Sequence, residues 1–466
     1  MKSLLPILLV AILTGCAAIK PGVPAVATID ATQLGLRDSA IAWPTDLWWQ
    51  RYGDSQLNQL LTEALSGSPS LDAAQARLNL ANATVGSARA VRLPQANASY
   101  QLTRERFSEN YIYPPPYGGS MQTDTNLTLD IGFDLDLWGR NQARYAAAVS
   151  RQQAAGADTQ MARNTLVSAV IQSYFNLQNA LAQQQVLGEL VTQLENVLDI
   201  TRQRVAAGLD TTIEANQADS AVSAARVELS QAATNADLLR NQIAALIGTG
   251  PQRGRNIQPA ALTHTFTSAP DSIPLALLGR RPDVVSARLR VEASASDVSV
   301  AKAEFYPNIN LTAFAGFMSL GLSNLLDGNS QAYGVGPAIT LPIFHGGSLN
   351  AQLDARNAER DLAIADYNQT LLTAVREVAD ATTAMQALRQ QTLDQAASLR
   401  AITSAYEIAV QRYKSGLGNF VQVLLAQNEV RRQAILNTDM RTRAYKLDAQ
   451  LATALGGGYD KHISPK

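Results

Sequence analysis

The chain has 466 residues, of which 46% are hydrophobic, 6% aromatic and 17% charged, and its formal net charge is -1. That balance excludes the basic footprint of a nucleic-acid binder, and a single cysteine, Cys16, excludes internal disulfides and thiolate metal sites. Beyond the first residues no run of about 18 apolar side chains occurs, so any membrane-spanning part is expected to be a β-barrel.

In chain order, Met1-Lys2 is followed by an apolar run from Leu4 to Leu13 and then by Leu13-Thr14-Gly15-Cys16. The run is too short for a transmembrane helix of about 20 residues and suits the apolar core of a cleaved leader. Residues 1–15 are therefore expected to be a signal peptide, leaving Cys16 as a lipidated N-terminus. Two acyl chains make such an anchor stable where one is marginal. Ala17, rather than an aspartate, suggests forwarding to the outer membrane.

From residue 69 onward the chain repeats itself. Pro69-Ser70-Leu71 returns as Pro282-Asp283-Val284, and Ala88-Arg89-Ala90 as Ala301-Lys302-Ala303, both 213 residues later. Gly139-Arg140 returns as Gly347-Ser348, Gly208-Leu209 as Gly416-Leu417 and Ile247-Gly248 as Leu455-Gly456, all 208 residues later. So long a period indicates duplication rather than a solenoid. The expected organisation is a lipidated segment 16–68, a first repeat 69–248, a connector 249–281, a second repeat 282–456 and a tail 457–466. Each repeat reads as helix, β-hairpin, long helix, turn and helix, with hairpins at 97–137 and 308–342.

The hairpins alternate with period 2. Leu127, Leu129, Ile131, Phe133, Leu135 and Leu137 fall on one face, and Thr128, Asp130, Gly132, Asp134 and Asp136 on the other. One side is lipid-like and the other wet, so Asp130, Asp134 and Asp136 are barrel-lumen candidates. Ala98, Tyr100 and Leu102 continue the apolar face, as do Ile309 to Phe317 and Tyr333 to Leu341 taken alternately. Strands of about ten residues span a bilayer obliquely. Four of them cannot close, because the smallest membrane barrels have about eight. Two copies would give eight strands and three would give twelve, and only the larger barrel leaves a useful lumen. A homotrimer is expected.

Asn141 to Ala207 and Ser348 to Lys414 contain no proline and read as nearly continuous helices, each about 100 Å long at 1.5 Å per residue. Both end at a glycine, Gly208 or Gly416, where a left-handed C-cap is expected. New helices then begin with capping-box spacing at Thr211 and Glu214, and at Asn419 and Gln422. Val222, Ala225, Leu229, Ala232, Ala236, Leu239, Ile243 and Leu246 form a coiled-coil seam with small residues.

Trp48-Trp49-Gln50-Arg51-Tyr52-Gly53-Asp54, Asp136-Leu137-Trp138-Gly139-Arg140, Arg280-Arg281-Pro282-Asp283-Val284 and Leu341-Pro342-Ile343-Phe344-His345-Gly346-Gly347 together resemble the signatures of TolC-like outer-membrane factors. The likeness is to the lipoprotein branch serving resistance-nodulation-division efflux systems. It implies a mainly α chain with β, whose trimer forms a 12-stranded transmembrane β-barrel continued by a long periplasmic α-helical barrel. It also implies an equatorial contact within 16–68, and partners in a periplasmic adaptor and an inner-membrane resistance-nodulation-division transporter whose docking opens the periplasmic tip. Asp210, Glu214, Gln422 and Leu425 are the aperture candidates. Members of the family often carry an acid where this chain has Leu425, before Ala426-Gln427.

Enzymatic readings find little footing. His264, His345 and His462 are the only histidines and lie far apart, with no metal-ligand spacing. There is no Gly-x-Ser-x-Gly elbow and no phosphate loop. Neither catalysis, nor a cofactor, nor a bound metal is expected. The leading expectation is a passive exit duct for small molecules. The alternatives are a duct for secreted polypeptides and a periplasmic coiled-coil scaffold that conducts nothing.

Overall fold

The computed structural model describes residues 23–36, 42–263, 274 and 276–460. Cys16, His264 and His462 lie outside them. In chain order the main elements are α1 Ser55–Gly67, α2 Pro69–Ala90, β1 Gln95–Arg106, β2 Met121–Asp134, α3 Arg140–Ala206, α4 Thr212–Leu246, α5 Pro282–Ala303, β3 Asn308–Leu320, β4 Gln331–Thr340, α6 Ser348–Lys414 and α7 Phe420–Ala454. The fold is mainly helical with one sheet. The internal repeat is present element by element: α2 and α5 have 22 residues each, α3 and α6 have 67, and α4 and α7 have 35.

The elements fall into two compact units. The first comprises the described part of Met1–Thr28 with Arg77–Gly156 and Ser286–Asn368, and it holds the sheet. Its strands follow the order β1-β2-β3-β4, each neighbour antiparallel, so β2 and β3 stitch the two repeats together. The register sets Tyr100 opposite Leu127 and Leu127 opposite Phe317, then Ala98, Leu129, Ala315 and Tyr333 in one row, and Ala96, Ile131, Ala313 and Val335 in the next. Directly opposed residues share a face, so the alternations of all four strands merge into one apolar surface. It is bare in the single chain, with Tyr333 82% and Val335 77% exposed. Among the described residues the outer edges of β1 and β4 carry no ladder partner.

The second unit comprises Ile29–Ala76, Ala157–Val285 and the described part of Gln369–Lys466. Its main core gathers Leu57, Leu60, Leu61 and Ala64 of α1, all fully buried, onto Val167 to Leu181 of α3 and Tyr445 to Ala452 of α7. Full burial of each leucine contributes about 1.5–3 kcal/mol. The Trp48, Tyr52, Phe175 and Tyr445 rings meet mostly edge to face at 4.6–6.1 Å. Asp54 starts α1 by accepting from the Leu57 amide at 3.0 Å and also takes the Tyr174 hydroxyl at 2.5 Å. Asp448, buried, takes the Tyr52 hydroxyl at 2.6 Å and pairs with Arg51. The polar atoms of Asp54, Tyr174, Tyr52 and Asp448 are thus satisfied among themselves and with Arg51, which removes most of their desolvation cost.

Duplication is visible in backbone geometry as well. Gly248 and Gly456 follow α4 and α7 at φ +74° and +102°. A Cβ on Gly248 would lie 2.1 Å from the Gly67 carbonyl oxygen, and one on Gly456 would lie 1.9 Å from that of Arg280. Gly67 and Arg280 stand at matched places, two residues before the prolines that open α2 and α5. Each repeat therefore closes by the same glycine approach to the backbone just ahead of its own first helix. Gly248→Ala and Gly456→Ala are each expected to lower stability by about 1–3 kcal/mol, the cost of forcing a side chain into left-handed backbone, with the clash in addition. Thermal unfolding in detergent measures this, and unchanged melting of both variants would contradict the account.

Candidate functional site

Two features could act on a solute: the polar face of the sheet and the pair of turns joining α3 to α4 and α6 to α7. On the polar face, Asp130 stands opposite Asn97 and Phe314 and accepts from Thr128 Oγ1 at 2.9 Å. Asp124, Glu105, Ser99, Gln101, Asn126 and Thr312 share this face, and no strand residue on it is basic. The other two lumen candidates are placed differently. Asp134 binds Arg140 at 2.6 Å and Asn141 Nδ2 at 3.0 Å. Asp136 lies past the end of β2 at φ +47° and accepts from the Asn141 and Gln142 amides, both at 2.8 Å. Asp136 is spent on the first amides of α3, which have no partner within the helix, and Asp134 on the side chains of Arg140 and Asn141 in its first turn. Of the three, only Asp130 offers an uncompensated charge to the polar face.

The two turns are built alike. At the first, Gly208 is at φ +73° while its amide reaches the Val205 carbonyl at 3.0 Å and the Leu209 amide reaches Arg204 at 2.9 Å. At the second, Gly416 is at φ +75°, with Gly416 to Tyr413 at 3.1 Å and Leu417 to Arg412 at 2.8 Å. Both are Schellman caps, which need a glycine at the left-handed position. Thr211 and Glu214 form a reciprocal capping box on α4, the Glu214 carboxylate accepting from the Thr211 amide at 2.9 Å. On α7 only half of that device exists: Asn419 accepts from the Gln422 amide at 3.0 Å, and the Gln422 side chain is exposed.

The repeats differ again in the turn itself. Asp210 in the first turn corresponds to Gly418 in the second. Arg204 holds Asp210 with two bonds, Nε to Oδ2 at 2.7 Å and Nη2 to Oδ1 at 3.2 Å. From α6, 203 residues away in sequence, the buried Tyr413 hydroxyl donates to Asp210 Oδ2 at 2.6 Å. Arg204 Nη1 donates to the Tyr413 carbonyl at 3.1 Å, and its guanidinium lies 4.7 Å from the Tyr413 ring centre. The two helical hairpins are tied here. Arg204 and Tyr413 carry the tie, and sequence reasoning had not singled them out, because nothing local marks a partner two hundred residues away.

Around the tie the surface is apolar. Leu209 is 65% exposed, Ile213 62%, Leu417 72%, Val421 52% and Leu425 65%. Leu209 matches Leu417 and Ile213 matches Val421 at the repeat offset of 208. Leucine after a Schellman glycine commonly folds back on its helix, and these do not.

The tie has a pH sign. The Arg204 hydrogen bonds hold the Asp210 carboxyl below its usual 3.8, against the opposing effect of burial, and the Tyr413 hydroxyl adds to the lowering. Burial first, then donation to Asp210, pushes the Tyr413 phenol up, so it stays a donor at neutral pH. A depressed carboxyl stabilises the fold above its unfolded value, and the benefit is lost as pH falls through the folded one. Acid well below pH 3.8 should therefore loosen the two turns. At neutral pH, Tyr413→Phe and Asp210→Asn should do the same, raising the loosened population about tenfold for one lost charge-assisted bond. Spin labels at positions 209 and 417 read the separation, and distance distributions unmoved by either change would contradict it.

Among the described residues no helix is long and apolar enough to cross a membrane, and no group of His, Cys, Asp and Glu could hold a metal ion. The family model of outer membrane efflux proteins matches residues 60–249 and 273–457. The multidrug resistance outer membrane protein MdtQ of Escherichia coli O157:H7 is 31% identical, across 98% of this chain and 97% of that protein. The crystal structure of the outer membrane protein VceC from Vibrio cholerae is 35% identical, with a TM-score of 0.86 over 90% of this chain and 100% of that one. The CmeC outer membrane channel of Campylobacter jejuni is 25% identical, with a TM-score of 0.87 over 95% of each chain. The chain belongs to the outer membrane efflux protein family, and it is an outer-membrane protein that serves efflux.

Proposed function

We propose that three copies of this chain close a twelve-stranded barrel in the outer membrane, continued by a helical tunnel in the periplasm, and that the assembly is a passive exit duct for small molecules such as drugs. The observation that carries this is the sheet: apolar on one face, polar on the other, and open at both edges. In hydrocarbon each unpaired backbone group costs several kcal/mol, so β1 and β4 need partners from further copies. Trp138 and Tyr306 stack at 4.8 Å where the strands meet the helices, with the Trp138 indole donating to the Pro307 carbonyl at 2.7 Å. An amphipathic aromatic pair of this kind suits a headgroup level. Cys16 is the proposed lipid anchor, adding affinity to what the barrel supplies.

The turns are the proposed periplasmic gate, closed by the Arg204–Asp210–Tyr413 tie and opened when a periplasmic adaptor and a resistance-nodulation-division transporter dock. Glu214 and Asp210 have separate parts in it. Asp210 is neutralised by Arg204 and acts as a latch, whereas Glu214 keeps an unmatched charge beside the aperture. A non-conducting scaffold would have no use for a lipid-facing sheet, and the multidrug-resistance name of MdtQ supports small molecules over polypeptides. Nothing in the site calls for catalysis, and we read the protein as a non-enzyme.

Mass measurement in detergent should give a trimer, and planar bilayers should show cation-preferring pores. Glu214→Gln should lower the cation-to-anion permeability ratio more than Asp210→Asn, since confined unmatched carboxylates favour cations. A stable monomer that keeps its full β content would sink the reading. Cys16→Ser should abolish incorporation of labelled palmitate while leaving part of the protein in outer-membrane fractions; label in that variant would show that another residue is acylated.

A further inference from the structure

The strands sort their charges by face. Glu105, Asp124, Asp130 and Asp134 lie on the polar face, while Arg104 and Arg106, the only basic residues of the four strands, lie on the apolar one. The register fixes this, because Arg104 stands opposite Thr123 and Arg106 opposite Met121, the odd-numbered series of β2 that includes Leu127 and Leu129. Two cations on a lipid-like surface contradict the pattern of the rest of that face, so their height matters.

The apolar rows run from Ile309–Ile339 up to Tyr100–Leu127–Phe317, eight residues along β3. At about 3.4 Å per residue and a tilt near 40°, that is roughly 21 Å of a band typically about 25 Å tall. The row of Leu102 and Thr125 comes next, and Arg104 with Thr123 stands one row above it, about 10 Å over the Tyr100 row. Arg106 is higher still, beside the loop that joins β1 to β2, at the end of the sheet away from the helices.

The two side chains are available. Arg104 is exposed and has no acidic partner among the described residues. Arg106 donates to Glu109 Oε1 at 2.8 Å, but the two side chains are 59% and 68% exposed, and such surface pairs contribute little. A phosphate dianion outcompetes one carboxylate for a guanidinium fork, through paired short bonds. The Thr123 hydroxyl, on the same face and across the ladder from Arg104, adds a donor. Leu102 and Tyr100, directly below, are 47% and 55% exposed and offer an apolar wall to acyl chains.

We propose that Arg104 and Arg106, with Thr123, bind the phosphorylated headgroup of a glycolipid in the outer leaflet, seating each barrel in the membrane at a fixed height. The inference rests on the reading that this sheet spans the outer membrane with its β1–β2 loop outward.

The test uses the full-length protein purified in detergent and incubated with diphosphoryl lipid A, with its dephosphorylated form, or with inorganic phosphate as competitor, bound lipid being counted by native mass spectrometry. The diphosphoryl form should be retained selectively, and inorganic phosphate at equal concentration should not displace it. Arg104→Gln and Arg106→Gln should each cut retention about fivefold, the usual weight of one basic side chain at an anionic lipid surface, with Arg104→Lys losing less. Glu109→Gln should raise retention, because it removes the competing carboxylate; this gain protects the test against variants that merely assemble poorly. Equal binding of the dephosphorylated lipid, displacement by free phosphate, or indifference to all four substitutions would overturn the proposal. If wild-type protein fractionates with outer membranes and yet shows one of those results, only this inference fails. Absence from outer membranes would remove the reading beneath it as well.

Discussion

Backbone groups inside hydrocarbon have no water to bond, and that one constraint shapes most of this chain. Its sheet satisfies every ladder between β1 and β4 and leaves two bare edges. A soluble protein would blunt such edges with charges or a covering loop. Here the edge strand β4 reads Gln331 to Thr340 without one charged residue, and Tyr333, Val335 and Ile339 stand exposed on its apolar side. No charge protects the edge at β4, and the charges of β1 are confined to its last three residues, Arg104 to Arg106, which makes physical sense if other strands take both edges. Closure then fixes which side is wet, and the polar face becomes a lumen wall whose strand charges are all acidic.

Duplication supplies the parts economically. One repeat yields one hairpin, one long helix and one return helix, and the β2–β3 ladder joins the copies into a single sheet. The structural devices are the same in both: Schellman glycines at 208 and 416, and close glycine approaches at 248 and 456. Differences concentrate where the copies must interact asymmetrically. Asp210 faces Gly418 across the repeat, and Tyr413 corresponds to Val205. A latch between two hairpins needs an acceptor on one and a donor on the other, so it cannot be built from identical halves.

The architecture was legible because lipid and long helices both impress simple periods on a sequence. Alternation from Leu127 to Phe133 survives at every second position because both faces are under strict demand, and the absence of proline across 67 residues is a direct statement about a helix. The acids were less legible. Asp134 and Asp136 fit the alternation as well as Asp130 does, but β2 ends at Asp134, whose carboxylate takes the Arg140 and Asn141 side chains, and Asp136 lies past that end and takes the Asn141 and Gln142 amides of α3. Period 2 says which way a residue points only while the strand lasts. The tie at Asp210 was illegible for another reason: its partner Tyr413 lies 203 residues away, and a tertiary hydrogen bond leaves no local trace. Of the exposed leucines and other apolar residues at the turns only Leu425 had been singled out, since hydrophobicity ordinarily argues for burial.

Those leucines bear on how the proposed gate is worked. Shifting a two-state element from one part in a hundred to ninety-nine needs about 5.5 kcal/mol of differential binding. Breaking the tie at Asp210 releases a carboxylate and a guanidinium into water, where both are readily solvated, so its cost lies in lost charge-assisted bonds rather than in stranded charge. Covering one large aliphatic side chain contributes about 1.5–3 kcal/mol. Leu209, Ile213, Leu417, Val421 and Leu425 are all more than half exposed beside the tie. A partner that covered two or three of them only in the loosened arrangement would supply what the transition needs. The acids then need not attract the partner at all: apolar contact can provide the work, and Asp210 sets the threshold that the contact must exceed.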